Sequence, residues 1–234
     1  MKQLKGSGRN QYVRDMFGQI SGRYDLMNRL ISLGRARSWR RYAVRKAAPP
    51  EGGRLLDVGS GTGDMALESL HRYPGIHVTA VDLSLRMMTV GRRRPAGRKV
   101  FWCNADALQL PFPDATFDSV VSGYLVRNVM DVHGAFVEQM RVVKPSGSIV
   151  CLDTVPVPRN IIRKPILLYL TIIIPLLGSV IGRNRAAYTY LHQSTQAFMK
   201  PEQLAATMRS AGIQDISYRR FMLGTMVILS GTRP

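Results

Sequence analysis

The segment Leu55-Leu56-Asp57-Val58 runs straight into Gly59-Ser60-Gly61-Thr62-Gly63-Asp64 and then into a helical pattern over 65–71. Three alternating glycines permit a tight turn and let a ligand press against bare backbone. The helix that opens behind them presents unsatisfied N–H groups. The loop is not a phosphate-binding P-loop, because no Gly-Lys-Ser/Thr follows. Nor does its G-x-G-x-G spacing match the G-x-G-x-x-G of dinucleotide folds.

The rhythm around this loop predicts an architecture. Strand-like runs fall at 54–58, 77–81, 100–103, 119–122 and 148–152, with helical runs at 65–71, 84–93 and 132–143 among them. Such alternation predicts a parallel sheet with helices on both faces and right-handed crossovers. A helix over 201–211 and strands over 213–218 and 222–230 follow, and a turn near Leu223-Gly224 makes the last pair antiparallel. The expected fold is α/β, a doubly wound, seven-stranded, mostly parallel sheet. Upstream, Val13, Met16, Phe17 and Ile20, then Leu26, Leu30 and Leu33, give residues 12–47 a helical period. The Pro-Pro-Glu-Gly-Gly run ends that segment. Four parts result: a basic helical cover (1–50), a ligand-binding core (51–153), an apolar insertion (154–200) and a closing helix with two strands (201–234).

Carboxylates recur where that sheet should bind. Asp57 lies on the first strand, Asp82 ends the second, and Asp106 follows the third in Asn104-Ala105-Asp106-Ala107. Asp82 is placed to accept hydrogen bonds from ribose hydroxyls, and Asp106 from an exocyclic amine such as that of adenine. An acidic pocket suits a sulfonium and an ammonium and suits a pyrophosphate poorly. S-adenosylmethionine therefore fits better than NAD or ATP.

At 234 residues, 45% hydrophobic and 21% charged, the chain is a folded domain with an appendage rather than a disordered protein. Its two cysteines, Cys103 and Cys151, cannot form a disulfide framework, and no Cys/His cluster has zinc spacing. A reducing cytoplasmic setting and no metal are expected. The start, MKQLKGSGRN, lacks the apolar core of a signal peptide. The net charge of +18 points to an anionic partner, nucleic acid or an acidic membrane surface, or else to a merely basic exterior. Residues 1–54 carry thirteen Lys/Arg against three acids, and Arg92, Arg93, Arg94, Arg98 and Lys99 form a second cluster.

The glycine loop with Asp82 and Asp106 resembles class I S-adenosylmethionine-dependent methyltransferases, Rossmann-like in fold. Narrower matches are Tyr24-Asp25-Leu26-Met27-Asn28, Leu110-Pro111-Phe112-Pro113-Asp114, Leu125-Val126-Arg127-Asn128-Val129, Lys144-Pro145-Ser146-Gly147 and Tyr188-Thr189-Tyr190-Leu191. Together they resemble the ubiquinone/menaquinone biosynthesis C-methyltransferases over roughly residues 12–230. The resemblance implies methylation of a prenylated quinol ring: demethylmenaquinol, a ubiquinol precursor, or both. It implies cofactor contacts at Asp57, Gly59, Gly61, Thr62, Gly63, Asp82, Leu83, Asp106, Ala107 and Gly123. Gly123 stands where family members often carry Ser, so no side-chain contact is expected there. The usual Phe-Gly-Leu-Arg-Asn becomes Tyr124-Leu125-Val126-Arg127-Asn128, and Leu125 is expected to reshape the substrate side. Serine at Ser146, for the usual glycine, is harmless if its φ stays negative.

Methyl transfer from a sulfonium is an in-line displacement governed by positioning. A phenol titrates near ~10, so a charge that stabilises the phenolate helps. Arg127 is the first candidate for that role, and Asn128 could orient the hydroxyl. Tyr24, Asp25 and His192 are candidates on the lid side. Each has a plain alternative: aromatic packing for Tyr24, ion pairing for Asp25 and Arg127, and a helix residue for His192.

Residues 166–181 contain no charge and are flanked by Arg163, Lys164, Arg183 and Arg185. Sixteen residues fall short of the roughly 20 needed to span a bilayer. The expected reading is an apolar lid half-immersed in an anionic membrane, with a buried core helix as the alternative. The expected partners are a lipophilic quinol and the membrane surface, with homo-oligomerisation left open. Rival readings are the same fold acting on another lipophilic or natural-product acceptor, and a non-catalytic, membrane-bound partner that binds the cofactor. A nucleic-acid methyltransferase is disfavoured, because no base-flipping motif or aromatic-interleaved basic tract is visible.

Overall fold

The structure, a computed structural model, describes residues 7–158, 163–174, 176, 179 and 185–234. Its strands are β1 (Arg54–Val58), β2 (His77–Asp82), β3 (Val100–Asn104), β4 (Phe117–Gly123), β5 (Val143–Thr154), β6 (Gln214–Phe221) and β7 (Met226–Thr232). They form one sheet in the order β3-β2-β1-β4-β5-β7-β6. Neighbours among β1 to β5 are parallel, and β7 runs antiparallel to both β5 and β6. The strand order reverses between β1 and β4, and a crevice opens at such a switch point.

The helices are α1 (Ser7–Ile31), α2 (Ala36–Ala47), α3 (Asp64–Arg72), α4 (Leu85–Arg93), α5 (Val132–Val142), α6 (Arg163–Leu168), α7 (Arg185–Gln196) and α8 (Pro201–Ser210). Successive strand residues feed opposite cores, as a period of two requires. Leu56, Val120, Ile149 and Leu229 pack with Phe136 of α5 and with Leu204 and Met208 of α8. Their neighbours Leu55, Val121, Val150 and Ile228 pack with Trp39 and Val44 of α2 and with Met65 of α3. Both faces are covered, which is why the strands read as unbroken apolar runs. Each fully buried side chain of this kind contributes roughly 1.5–3 kcal/mol.

Three local expectations change. The helical stretch 12–47 breaks after Ile31, where Leu33 and Gly34 take φ of +51° and +76° and the Gly34 N–H donates to the Arg29 carbonyl at 2.7 Å. β7 starts at Met226 rather than 222, because Leu223 turns the chain with φ +55°. β5 starts at Val143, and its extra residues loop out between the pairs Phe117↔Val143 and Ser119↔Ser148. Ser146 sits in that loop at φ +61°, so the condition for a harmless serine is not met. A non-glycine residue in this region costs roughly 1–2 kcal/mol.

In the insertion, α6 continues into a π-helical turn, Tyr169–Ile173. Part of the 166–181 run lies outside the described residues. Among the described residues, no helix is long and apolar enough to cross a membrane.

α4 backs the glycine loop closely at one point. A Cβ on Gly91 would lie 2.3 Å from Trp102 Cη2 and 2.7 Å from the Thr62 carbonyl oxygen. Alanine gains about 1 kcal/mol of helix propensity over glycine, but backbone cannot yield as a flexible side chain does, and overpacking costs about 1–3 kcal/mol. The overlap wins. Gly91→Ala is expected to lower the urea midpoint, by the equivalent of about 1–2 kcal/mol, with an unchanged slope.

Candidate active site

A cavity of about 830 Å³ opens at the carboxyl ends of the central strands. Its wall includes Gly59, Gly61, Asp82, Leu83, Asp106, Ala107 and Gly123, seven of the ten cofactor positions expected from sequence. Val13 and Phe17 of α1 cover it. Gly59, Gly61 and Gly63 all take positive φ, at +70°, +56° and +81°. The loop is tied to β2 by Gly59 and Ser60, whose N–H groups donate to the Val81 carbonyl at 2.8 and 2.9 Å. Asp82 adds a second tie: its Oδ2 accepts from Gly61 N at 2.8 Å and its Oδ1 from Ser84 N at 2.7 Å. Burial raises the Asp82 carboxyl above its ordinary range, and these two donors pull it back. Asp106 Oδ1 accepts from Leu108 N at 3.0 Å.

The other three cofactor positions sit differently. Asp57 and Thr62 line a smaller cavity of about 350 Å³, which shares Gly59, Gly61, Gly123 and Tyr124 with the first. Asp57 is fully buried, with Oδ2 accepting from Ala66 N at 2.9 Å. Its Oδ1 is buried with no hydrogen-bond partner among the described residues. Burial pushes this carboxyl from 3.8 to about 7, aided by nearby Asp82 and Asp64. The Thr62 hydroxyl donates to Asp25 Oδ1 at 2.8 Å. Gly63 borders none of these cavities. A Cβ there would meet Trp102 Cη2 at 2.5 Å, so its glycine serves packing.

A second cavity of about 830 Å³ lies between α1, α2, the insertion and the final hairpin. Trp39, Leu170, Ile174, Leu191, Met222 and Met226 make it largely apolar. Arg127 borders it, buried and paired with the fully buried Asp153, which also accepts from the Arg127 backbone N–H. The guanidinium carbon lies 5.3 Å from the Tyr124 ring centroid. Asn128, the next residue, faces the first cavity instead. Its Nδ2 donates to the Tyr124 carbonyl at 2.9 Å, and its buried Oδ1 has no partner among the described residues.

Asp25 lines neither large cavity. It joins α1 to the glycine loop through Thr62 and stands 3.6 Å from Arg94. Burial and the nearby Asp64 raise its carboxyl. Tyr24 and His192 fall on α1 and α7, but their side chains lie outside the described residues. Leu125 packs over Gly59, where a Cβ would come within 2.6 Å of Leu125 Cδ1, and it lines the first cavity rather than the apolar one. Leu125 thus stands against the glycine loop, on the wall of the first cavity.

Sequence reasoning missed Asn28, Asp153 and Tyr124. Asn28 lies in the Tyr24-Asp25-Leu26-Met27-Asn28 motif, borders the apolar cavity and has a buried Nδ2 with no partner among the described residues. Asp153 directly follows an apolar strand run, as Asp82 does, and could have been flagged on that pattern. Tyr124, at φ +59°, carries no comparable signal.

The chain matches the ubiE/COQ5 methyltransferase family over residues 5–233. It is 44% identical to the ubiquinone/menaquinone biosynthesis C-methyltransferase UbiE of Desulfotalea psychrophila, covering 98% of this chain and 92% of that one. Identity to the demethylmenaquinone methyltransferase of Roseiflexus castenholzii is 40%, over 95% of this chain and 94% of that one. A solved S-adenosylmethionine-dependent methyltransferase from Thermotoga maritima shares the fold, with a TM-score of 0.68 at 20% identity, over 95% of this chain and all of that one. Matched over nearly its whole length by family and relatives alike, the chain belongs to the ubiE/COQ5 methyltransferase family.

Proposed function

We propose that this protein methylates a ring carbon of a prenylated quinol, demethylmenaquinol or a ubiquinol precursor, with S-adenosylmethionine as donor. The observation that carries this reading is the pair of cavities: one acidic and glycine-walled, the other apolar, meeting at Tyr124. The residues present fit the donor. Gly59 and Gly61 leave bare backbone for it, Asp82 and Asp106 supply acceptors for ribose and adenine, and the orphaned Oδ1 of Asp57 suits an ammonium. Arg40 lines the same small cavity as Asp57 and would face the donor's carboxylate. When bound, the sulfonium supplies an electrophilic methyl group.

The apolar cavity suits a quinol ring and the first units of its tail. Asn28 Nδ2 offers a donor to one ring oxygen. Arg127, held by Asp153, offers a fixed cation to a developing phenolate. The reading with another lipophilic acceptor draws on the apolar insertion, whose Leu170 and Ile174 line this same cavity, and product identity separates the two.

Contact with an anionic membrane completes the reading. The insertion helix is apolar on two faces: Leu170 and Ile174 line the cavity, while Leu168, Ile172 and Leu176 are more than half exposed. Exposed Arg163 and Lys164 lie at its start. A lipid surface would cover the outer face while the inner one receives the substrate.

The direct test supplies labelled S-adenosylmethionine and a demethylated prenylquinol, with product identified by mass. A methylated quinone is expected, and absence of label in any quinol would end this reading. Arg127→Ala leaves Asp153 buried and unpaired, a loss of about 3–5 kcal/mol, so Arg127→Lys is the cleaner variant. It keeps a charge but loses the planar fork. Its turnover is expected to fall by about tenfold or more while donor affinity stays within about threefold. Normal turnover would dismiss Arg127 as the phenolate stabiliser.

Asp57 gives a pH signature. In the free protein it holds a proton below about 7, and an ammonium beside it favours the ionised form. Donor affinity is therefore expected to rise as pH increases through about 7, with proton release on binding. Titration calorimetry should find that dependence flattened in Asp57→Asn. Vesicle flotation provides the membrane test. Binding to anionic vesicles is expected to fall with salt, and Arg163→Glu with Lys164→Glu to weaken it, since each cation adds roughly 1 kcal/mol near such a surface. Equal binding to neutral and anionic vesicles at all salt concentrations would count against it.

A further inference from the structure

Tyr124 is the one residue, among those described, that borders all three cavities. The two large cavities have no other lining residue in common. On the reading above, donor and acceptor occupy separate chambers, yet their reacting atoms must come within roughly 3–3.5 Å. Whatever joins the chambers must act at Tyr124.

The residue is held there under constraint. Its φ of +59° lies in the left-handed region, which a bulky side chain seldom enters. Its N–H donates to the Leu152 carbonyl at 2.7 Å, and its carbonyl accepts from Asn128 Nδ2 at 2.9 Å. The Arg127 guanidinium lies over its ring, and Asp153 fixes that guanidinium. Arg127 faces the apolar chamber and Asn128 the glycine-walled one, so each chamber contributes one of the groups that hold Tyr124. Backbone outliers that persist under such over-determination gather at switches and ligand clamps.

We propose that the Tyr124 ring is the partition between donor and acceptor chambers, and that it sets which acceptor ring can be presented to the donor. This deepens the proposed function and rests on it. A movable wall shared by two sites couples them: a ligand that displaces the ring on one side changes the affinity on the other, by the same factor in both directions. A residue that merely supports the loop couples nothing.

Trp39 lines the apolar chamber and gives a readout independent of turnover. The chain has two tryptophans, so in a Trp102→Phe background Trp39 is the sole reporter. Quenching by short-tailed 2-prenyl-1,4-naphthoquinone and 2-prenyl-1,4-benzoquinone is titrated with and without saturating S-adenosylhomocysteine. Titration calorimetry of S-adenosylhomocysteine on the otherwise unaltered chain repeats the measurement from the other side. The expected result is a coupling factor of at least about fivefold, different for the two quinones. Tyr124→Gly removes the ring and also suits the positive φ, so it is expected to fold, to bind both ligands and to bring the factor to about one. It should also erase the difference between bicyclic and monocyclic quinones. Tyr124→Phe keeps the wall and is expected to keep the coupling.

Coupling that persists in Tyr124→Gly, or that is absent from the parent protein while both ligands bind, overturns the partition. Coupling lost in Tyr124→Phe would assign it to the hydroxyl and overturn the steric form proposed. If S-adenosylhomocysteine binds and neither quinone does, the acceptor assignment itself fails and the partition falls with it.

Discussion

Two backbone N–H groups, from Gly61 and Ser84, converge on the half-buried carboxylate of Asp82. The glycine-walled cavity depends on that joint. Three glycines at positive φ have no intrinsic reason to stay there, because glycine gives up more freedom on folding than any other residue. The loop needs an anchor outside itself, and the end of β2 provides one: Val81 through its carbonyl, Asp82 through its side chain. Hydrogen bonds to a charged acceptor contribute about 1.5–3 kcal/mol each. They also make burial of the carboxylate tolerable, since an unpaired one would take up a proton. Ser84 is the N-cap of α4, so the same carboxylate aligns the helix whose Gly91 packs against Trp102 behind the loop. The cavity wall, the second strand and the second crossover thus meet at one side chain.

Much of this was legible in the sequence because it is local or periodic. Strands covered on both faces must read as short apolar runs, and β1 to β4 lie within two residues of where those runs placed them at either end. The glycine loop was legible because tight backbone approach admits few other residues. Of the ten cofactor positions that the resemblance implies, seven line one cavity, and three of those are glycines. The break after Ile31 had a visible signal in Gly34, which ends the helix at φ +76°, whereas the left-handed Leu33 before it breaks no pattern. Ser146 in the sequence is a conditional risk, and only the paired register of β4 and β5 places it among extra residues, where its φ is positive. Arg127 illustrates the larger gap. Its charge was visible, but its partner Asp153 is twenty-six residues away and meets it only where the sheet brings β5 beside β4. Charge that looks free in a sequence can be neutralised by topology.

The insertion posed a different problem. An uncharged run of sixteen residues has two ordinary fates, burial or contact with lipid. The described part combines an inner face on a cavity with an outer face that is apolar and exposed. A helix of this kind cannot be classified by periodicity, because both faces are apolar and only the third dimension separates their roles. The same property suits a wall that stands between a lipid phase and a chamber, where a polar outer face would hold the insertion away from the bilayer.

The buried pair of Arg127 and Asp153 makes little sense as a source of stability. Desolvating two ions takes back most of what their attraction provides, and apolar residues of similar volume often do as well. Its geometry suggests another use. Asp153 accepts from both the backbone and the side chain of Arg127, so it fixes the chain direction and the guanidinium together. That guanidinium lies over the Tyr124 ring, while Asn128 holds the Tyr124 carbonyl. A strained residue needs neighbours that over-determine it, and an ion pair with directional hydrogen bonds does this better than apolar packing, which tolerates rotation. The pair is then best understood as the support of the turn 124–128, on which the meeting of the two chambers depends.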